Sequence, residues 1–317
     1  PVFDLGVGDK RDTNGLTFVD YDNDGDLDLY VVNREQENAL YRNDLSSDEG
    51  VFSEIACALS VADAEIGQSS SWADYDNDGD LDLYVANVGA NALYRNDGSD
   101  VFVNVAADAG ADVVSSGWVT AMAAWADVNG DGFLDLYLAN GADRQSQADV
   151  LAAGSATGTF ADSTGTAELS LVNSYHMSAV FADVDTNGTP DLYVTDGAGG
   201  GNLLYQNTAP DSLFLRVVVR GRGPATGGAN LFGYGSRVYL IDASTNDTVA
   251  YKQVLPPMAV PRTVTSPDGT TAGGSELIFG APARAYNVSV RFPGNEQAQI
   301  GPNVRGGDIV VIDEPEP

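Results

Sequence analysis

A nine-residue aspartate-rich element recurs four times in register, and nothing else in the 317-residue chain constrains its fold as strongly. The first aspartates of the four copies are Asp20, Asp74, Asp127 and Asp183, a spacing of 53 to 56 residues. Four segments align without gaps: Phe18 to Asn33, Trp72 to Asn87, Trp125 to Asn140 and Phe181 to Asp196. In each, an aromatic and a small residue lead into Asp-x-Asp/Asn-x-Asp/Asn-Gly-x-x-Asp, and Leu-Tyr-Val/Leu follows. Self-similarity at this period predicts a propeller, a solenoid or an array of stacked units.

The residues around each loop read as strands. Leu-Tyr-Val has the β-branched and aromatic content of a buried strand. A further short run follows as Asn38–Asn43, Asn91–Asn96 and Asn202–Asn207, with a weaker version at Ala148–Leu151. A phenylalanine-containing run comes next at Val51-Phe52, Val101-Phe102 and Thr159-Phe160. Four short strands per unit is the content of one propeller blade. The last unit lacks its phenylalanine run, and the chain opens with one, Val2-Phe3-Asp4-Leu5. That run is expected to complete the final blade and close the ring, leaving no free sheet edge. The fold class is therefore all-β: a β-propeller of four calcium-loop blades, with the total number of blades left open. A small C-terminal β domain or an extra sheet follows. The expected division is 1–210 for the repeats and 211–317 for the second unit, whose runs at Phe214–Val219, Arg237–Ile241, Val288–Phe292 and Ile309–Ile312 alternate between Gly/Pro-rich turns.

The loop has the chemistry of a hard-cation site. Ca²⁺ takes six to eight oxygen ligands at flexible distances. Acidic side chains at positions one, three and five aim at one point, glycine at six allows a sharp turn, position seven offers its carbonyl and aspartate at nine closes the shell. The expected ligands are Asp20, Asp22, Asp24, the Asp26 carbonyl and Asp28 in loop one, and Asp74, Asp76, Asp78, the Asp80 carbonyl and Asp82 in loop two. Loop three supplies Asp127, Asn129, Asp131, the Phe133 carbonyl and Asp135; loop four supplies Asp183, Asp185, Asn187, the Thr189 carbonyl and Asp191. About four Ca²⁺ ions are expected, held more tightly where four carboxylates converge (loops one and two) than where three do. An EF-hand is rejected because position twelve is Val31, Val85, Leu138 or Val194 rather than Glu, and the flanks are β. Mg²⁺ fits less well, since it demands tight octahedral geometry.

The formal charge is −31, from 46 acidic and 15 basic residues. Such a surface repels nucleic acid and anionic lipid. Four Ca²⁺ would still leave the chain strongly acidic. The single Cys57 excludes an internal disulfide, and with the single His176 it excludes Cys₄ and His-rich zinc sites. Cys57 is read as a small buried apolar residue. No apolar run is long enough to cross a membrane as a helix.

The repeat unit resembles the FG-GAP/VCBS repeat found in integrin α-subunit propellers and many secreted bacterial proteins. The resemblance spans residues 1 to about 210. It implies that the loop joins neighbouring strands of a blade and binds Ca²⁺ through the residues named above. Residues 211–317 resemble the ASPIC and UnbV domain that follows such repeats in cartilage acidic protein 1 and its bacterial relatives. The matching residues are Leu213–Val217, Asn230–Val238, Phe279-Gly280 and Val290–Gly294, with Phe292 where that family has Trp.

The functional expectation is a non-enzymatic, calcium-stabilised adhesion or interaction module, extracellular, periplasmic or on the cell surface. Its partner would be a protein or a glycan, with no nucleic acid and no membrane insertion; the oligomeric state stays open. A carbohydrate-active enzyme, lyase or hydrolase, is the rival reading, with His176, Lys10, Lys252, Tyr175 and Tyr251 as the available acid-base groups, none of them grouped by spacing. The bland reading of His176 is a loop or strand-end residue beside Met177–Phe181. A lectin that takes sugar through an open coordination position is the third. Asn246 and Asn287 fit the glycosylation sequon. Trp72, Trp118 and Trp125 are expected to pack blades or, for Trp118, to face a partner. Leu255–Pro261 is expected to be a rigid connection, and Asp313–Pro317 a frayed tail.

Overall fold

Each acidic loop is the hairpin between the first two strands of an antiparallel meander. The computed structural model describes residues 7–8, 10–44, 52–112, 119–141, 147–167, 169, 175–221, 236–254, 260–265, 271–292 and 299–315. Blade one is β1 (Thr13–Val19), β2 (Asp28–Asn33), β3 (Ala39–Asn43) and β4 (Phe52–Glu54), paired in that order. Blade two repeats it with β5 (Ile66–Ala73), β6 (Asp82–Val88), β7 (Ala92–Asn96) and β8 (Phe102–Asn104). Blade three has β9 (Thr120–Ala126), β10 (Asp135–Asn140), β11 (Val150–Ala153) and β12 (Ala161–Asp162). Blade four shows β13 (His176–Ala182), β14 (Asp191–Asp196) and β15 (Leu203–Tyr205). The run Val2–Leu5, expected to complete it, lies outside the described residues, as do Val51, Trp118, 230–235 and 293–294.

The chain continues into two more four-stranded sheets. One has the order β19 (Val260–Thr265), β20 (Thr271–Gly280), β16 (Phe214–Arg220), β23 (Ile309–Asp313). The other has β18 (Thr248–Gln253), β17 (Arg237–Asp242), β21 (Tyr286–Arg291), β22 (Gln299–Val304). Leu215, Val217 and Val219 of the first share a core with Val238, Leu240, Val288 and Val290 of the second, so the two sheets form a sandwich. Strands β18, β19, β20 and β22 were not foreseen. Val260 and Pro261, expected to belong to a rigid connection, open a strand instead.

The blades are held by cores that lie between them. Tyr30, Val32 and Leu40 of blade one pack with Trp72, Leu83 and Val85 of blade two; Tyr84 and Leu93 of blade two pack with Trp125, Leu136 and Leu138 of blade three. Tyr137 and Leu151 of blade three pack with Ala179, Leu192 and Val194 of blade four. Full burial of one such aromatic or aliphatic side chain stabilises by roughly 1.5–3 kcal/mol. Trp72 and Trp125 thus take the packing role foreseen for them. Cys57 does not: it is exposed, because Ala56 and Leu59 take the inward places of the turn that follows β4. Its Sγ lies 3.7 Å from Glu37 Oε2, and that carboxylate pushes the thiol above its ordinary value. Among the described residues no helix is long and apolar enough to cross a membrane.

Candidate metal centre

The backbone of the loop is the same in all four copies. Position four is left-handed at Asn23, Asn77, Gly130 and Thr186, with φ of 61°, 62°, 75° and 65°. Position six is positive at Gly25, Gly79, Gly132 and Gly188, with φ between 93° and 100°. Glycine reaches that second region freely, and Asn tolerates the first; the β-branched Thr186 is strained there. Positions three and five add a series of side-chain turns. Asp22 accepts the Asp24 amide (3.2 Å) and Asp24 the Asp26 amide (2.8 Å). Asp78, Asn129, Asp131, Asp185 and Asn187 each accept the amide two residues on, at 2.8–3.0 Å.

Position nine locks the loop to its blade. Asp28 Oδ2 accepts the Tyr21 amide (3.2 Å) and its Oδ1 the Asn43 amide (2.8 Å). Asp82 takes the amides of Tyr75 and Asn96, Asp135 those of Val128 and Gly154, and Asp191 those of Val184 and Asn207. All four carboxylates are buried. Each still has lone pairs for a cation after accepting two amides.

Position one differs among the copies. Asp74 accepts the amides of Asp78 (3.0 Å) and Gly79 (3.1 Å). Asp127 accepts those of Gly130, Asp131 and Gly132, and Asp183 that of Gly188 (3.1 Å). Asp20 is 1% exposed, yet no hydrogen bond reaches either carboxylate oxygen. The Gly25 amide lies on its side and draws its pKa down, but burial outweighs this and holds the group up at about 6. A buried carboxylate without donors is expensive unless a cation stands beside it. Asp76 Oδ1 is in the same condition.

Three of the four loops bring acidic oxygens together. One oxygen each from Asp20, Asp22 and Asp28 lies within 4.8 Å of the others; so do those of Asp74, Asp76 and Asp78, and of Asp183, Asp185 and Asp191. Loop three forms no such group of three acids among the described residues; Asn129 stands where loops one, two and four carry an acid. Burial raises Asp28 to about 8, Asp78 and Asp127 to about 6 and Asp135 to about 7. It holds Asp74 and Asp82 well above the ordinary carboxylate range. In the first two of these loops neighbouring carboxylates add to the effect. Buried acids crowded together and short of donors are a donor set for a divalent cation, and the residues fit one.

The sandwich rests on the inner side of these loops, which nothing in the sequence announced. Arg216 Nη1 of β16 lies 3.4 Å from Asp183 Oδ2. Arg237 of β17 donates to the Asn23 carbonyl, and Tyr251 of β18 donates to Asn23 Oδ1 (3.2 Å). The Gln253 side chain accepts the Asp20 amide at 3.2 Å. Gly280 of β20 abuts loop three so closely that a Cβ there would stand 1.4 Å from Asp127 Oδ2. A cavity of about 110 Å³ remains between the two units, lined by Asp74, Asp127, Asp183, Lys252 and Gln253 among others. Desolvation draws the Lys252 ammonium down to about 8, with Asp127 opposing. The outer sides at Asp22, Asp24, Asp78, Asn129, Asp131 and Asp185 stay exposed.

Of the acid-base groups of the rival enzyme reading, Tyr251 and Lys252 line this cavity, whereas His176 and Lys10 are not part of its lining. His176 is the first residue of β13, 1% exposed; its Nδ1 is bonded to Asp149, which also accepts the Tyr137 hydroxyl. Lys10 is exposed, and Tyr251 is buried in the core between blades one and two.

An array of antiparallel blades, three of four strands and one of three among the described residues, each carrying an aspartate-lined hairpin, defines a propeller-type repeat protein with acidic metal-type loops. The chain belongs to the FG-GAP-like repeat family, whose description matches residues 20–85, 74–138 and 127–194. No curated protein matches the chain. Among solved structures, an Agrocybe aegerita lectin described as recognising non-reducing terminal N-acetylglucosamine is 17% identical, covering 92% of this chain and 80% of that one, with a TM-score of 0.39. A BBS1N–ARL6DN complex soaked with lead is 14% identical, covering 95% and 85%, also at 0.39. The Tc holotoxin pore of Photorhabdus luminescens is 12% identical, covering 87% and 14%, at 0.35. Likeness at this level carries no functional inference.

Proposed function

We propose that the chain is a calcium-stabilised, non-enzymatic interaction module that works outside the cytoplasm and offers its exposed loops to protein or glycan partners. The observation that carries the reading is Asp20: a buried carboxylate with no hydrogen-bond donor, beside Asp22 and Asp28 within 4.8 Å. A hard divalent cation supplies the missing positive charge there. Asp20, Asp22, Asp24, Asp28 and the Asp26 carbonyl hold it in loop one, and the corresponding residues do so in loops two to four. Ca²⁺ is preferred over Mg²⁺ because all-oxygen loops of this kind adapt to irregular geometry, and the millimolar Ca²⁺ outside cells suits them. The repeats occupy residues 1–210, and residues 211–317 form an ASPIC/UnbV-like β domain that docks on them.

Calcium titration of the chelator-treated protein, followed by calorimetry and by thermal melting, tests this. About four sites are expected. At a hundredfold excess over Kd each site adds about 2.7 kcal/mol to stability. A melt that is the same in excess EGTA and in millimolar Ca²⁺ would falsify the reading. The exposed sides of Asp22, Asp78 and Asp185 favour a second form of it, in which a sugar hydroxyl completes the metal shell. A glycan array read in Ca²⁺ and in EGTA separates that form from protein recognition.

A further inference from the structure

The three junctions between neighbouring blades are built alike, and the two outer faces of the array carry the same parts with no described residue set against them in the same way. At each junction the tyrosine of one blade's second strand meets the entry aromatic of the next blade edge to face. The centroid distances are 5.8 Å for Tyr30–Trp72, 6.0 Å for Tyr84–Trp125 and 6.4 Å for Tyr137–Phe181, with interplanar angles of 81°, 86° and 88°. A second contact runs from loop position two to the phenylalanine of the next blade: Tyr21–Phe102 at 6.1 Å and Tyr75–Phe160 at 5.6 Å.

Blade four presents the corresponding residues to solvent. Val180, Tyr193 and Leu204 face one another in register across its three strands. Tyr193 is 37% and Leu204 56% exposed, where Tyr30, Tyr84 and Tyr137 are all at 0%. Val184, at loop position two, is also exposed. On the opposite side of the array, Phe18 is 43% exposed, where its counterpart Trp72 is at 1%, and Leu16 beside it is exposed as well. The first strands pack β1 on β5, β5 on β9 and β9 on β13; among the described residues no comparable contact joins β13 to β1.

We propose that these two faces are halves of one interface, and that the Leu16–Phe18 face of one copy of the chain seats on the Val180–Tyr193–Leu204 face of a second copy. The occupant is argued from continuity with the internal junctions. Phe18 would stand to Tyr193 as Phe181 stands to Tyr137, and Val184 would meet Phe52 as Tyr21 meets Phe102. Burial of the apolar side chains and the edge-to-face ring pair both favour the contact. Strands β1 and β15 contain no charged residue, in a chain that carries 46 acids. The contact is head-to-tail: each copy keeps one face free, so growth continues unless the rotation closes a ring. The net charge of −31 opposes the approach of two copies, and salt screens that repulsion. The interface therefore tightens as ionic strength rises. The proposal stands apart from the metal reading, since none of the facing residues is a ligand.

Sedimentation velocity of the full chain over a concentration series, in Ca²⁺ and in EGTA, at low and high NaCl, is the test. A mean mass that climbs above one chain with concentration, more steeply in high salt, is expected. Phe18→Glu and Leu204→Glu each weaken self-association at least about tenfold, the scale for losing a central interface side chain. Mixed together the two variants form one-to-one pairs, because each keeps the face the other has lost. A chain that stays monomeric throughout, or variants whose mixture does not pair, overturns the proposal. If either variant melts below the wild type, Phe18→Ser and Leu204→Ser carry the same comparison.

Discussion

Two aspartates eight residues apart in loop one do opposite work. Asp28 holds backbone: each oxygen accepts one buried amide. No hydrogen bond reaches either oxygen of Asp20, and only the nearby Gly25 amide and the Arg237 charge work against its burial. Asp28→Ala therefore exposes two buried amides to an apolar surrounding, at about 1–3 kcal/mol each, and should lower the melting temperature with and without Ca²⁺. Asp20→Asn removes a buried charge that the Gly25 amide and Arg237 offset only in part. It should leave the EGTA melt unchanged or raised while cutting the rise that Ca²⁺ gives. Paired melts of the two variants check this, and equal losses in EGTA would contradict it. The spacing of acids made both residues legible as members of one loop. It could not separate their tasks, because the partners of Asp28 are backbone groups seven and fifteen residues away, and amides leave no signature in a sequence. The left-handed requirement at Asn23, Asn77 and Gly130 was open to reading from residue type; at Thr186 it was not.

At the level of the loop, charge counting ranked loops one and two above three and four. The geometry adds a finer order, since loop four gathers three acids and loop three, with Asp127 committed to three amides, does not. Terbium luminescence or calcium titration of single-loop variants should find loop three filling last. The pH dependence follows from the raised carboxylates. In the metal-free protein Asp20, Asp28, Asp78, Asp127 and Asp135 titrate at about 6 to 8, above the ordinary value near 3.8. The folded state then binds more protons than the unfolded one, so stability is greatest in acid and falls as pH rises from about 4 to 8. Ca²⁺ requires the ionised acids, and its binding releases protons. With Ca²⁺ present the slope should reverse over the same range. Melting curves from pH 5 to 8 in EGTA and in Ca²⁺ read both signs; parallel curves would refute the assignment.

In the whole molecule, the repeats were readable because each is a short, self-similar string; their docking onto a second unit was not. Arg216 and Arg237 meet loops four and one from 33 and 214 residues away, and no local pattern encodes such a meeting. Four strands of the sandwich were not legible for a different reason: β18, β19, β20 and β22 are interrupted by Lys, Pro or Gly, which breaks the alternating apolar pattern of a strand. The contact makes the sandwich a neighbour of the metal. Arg216→Gln removes a cation 3.4 Å from Asp183 and should tighten Ca²⁺ at loop four by about threefold to tenfold, as loss of one partly buried charge pair implies. A weaker site, read by terbium displacement, would show that the arginine positions Asp183 rather than competes for it. The edge-to-face ladder between blades has a spectroscopic consequence. Trp72 and Trp125 sit at the first and second junctions, whereas Phe181 stands at the third. The emission of these two reports the opening of two seams and is blind to the last, so a terminal blade that has peeled away would leave their share of the signal unchanged.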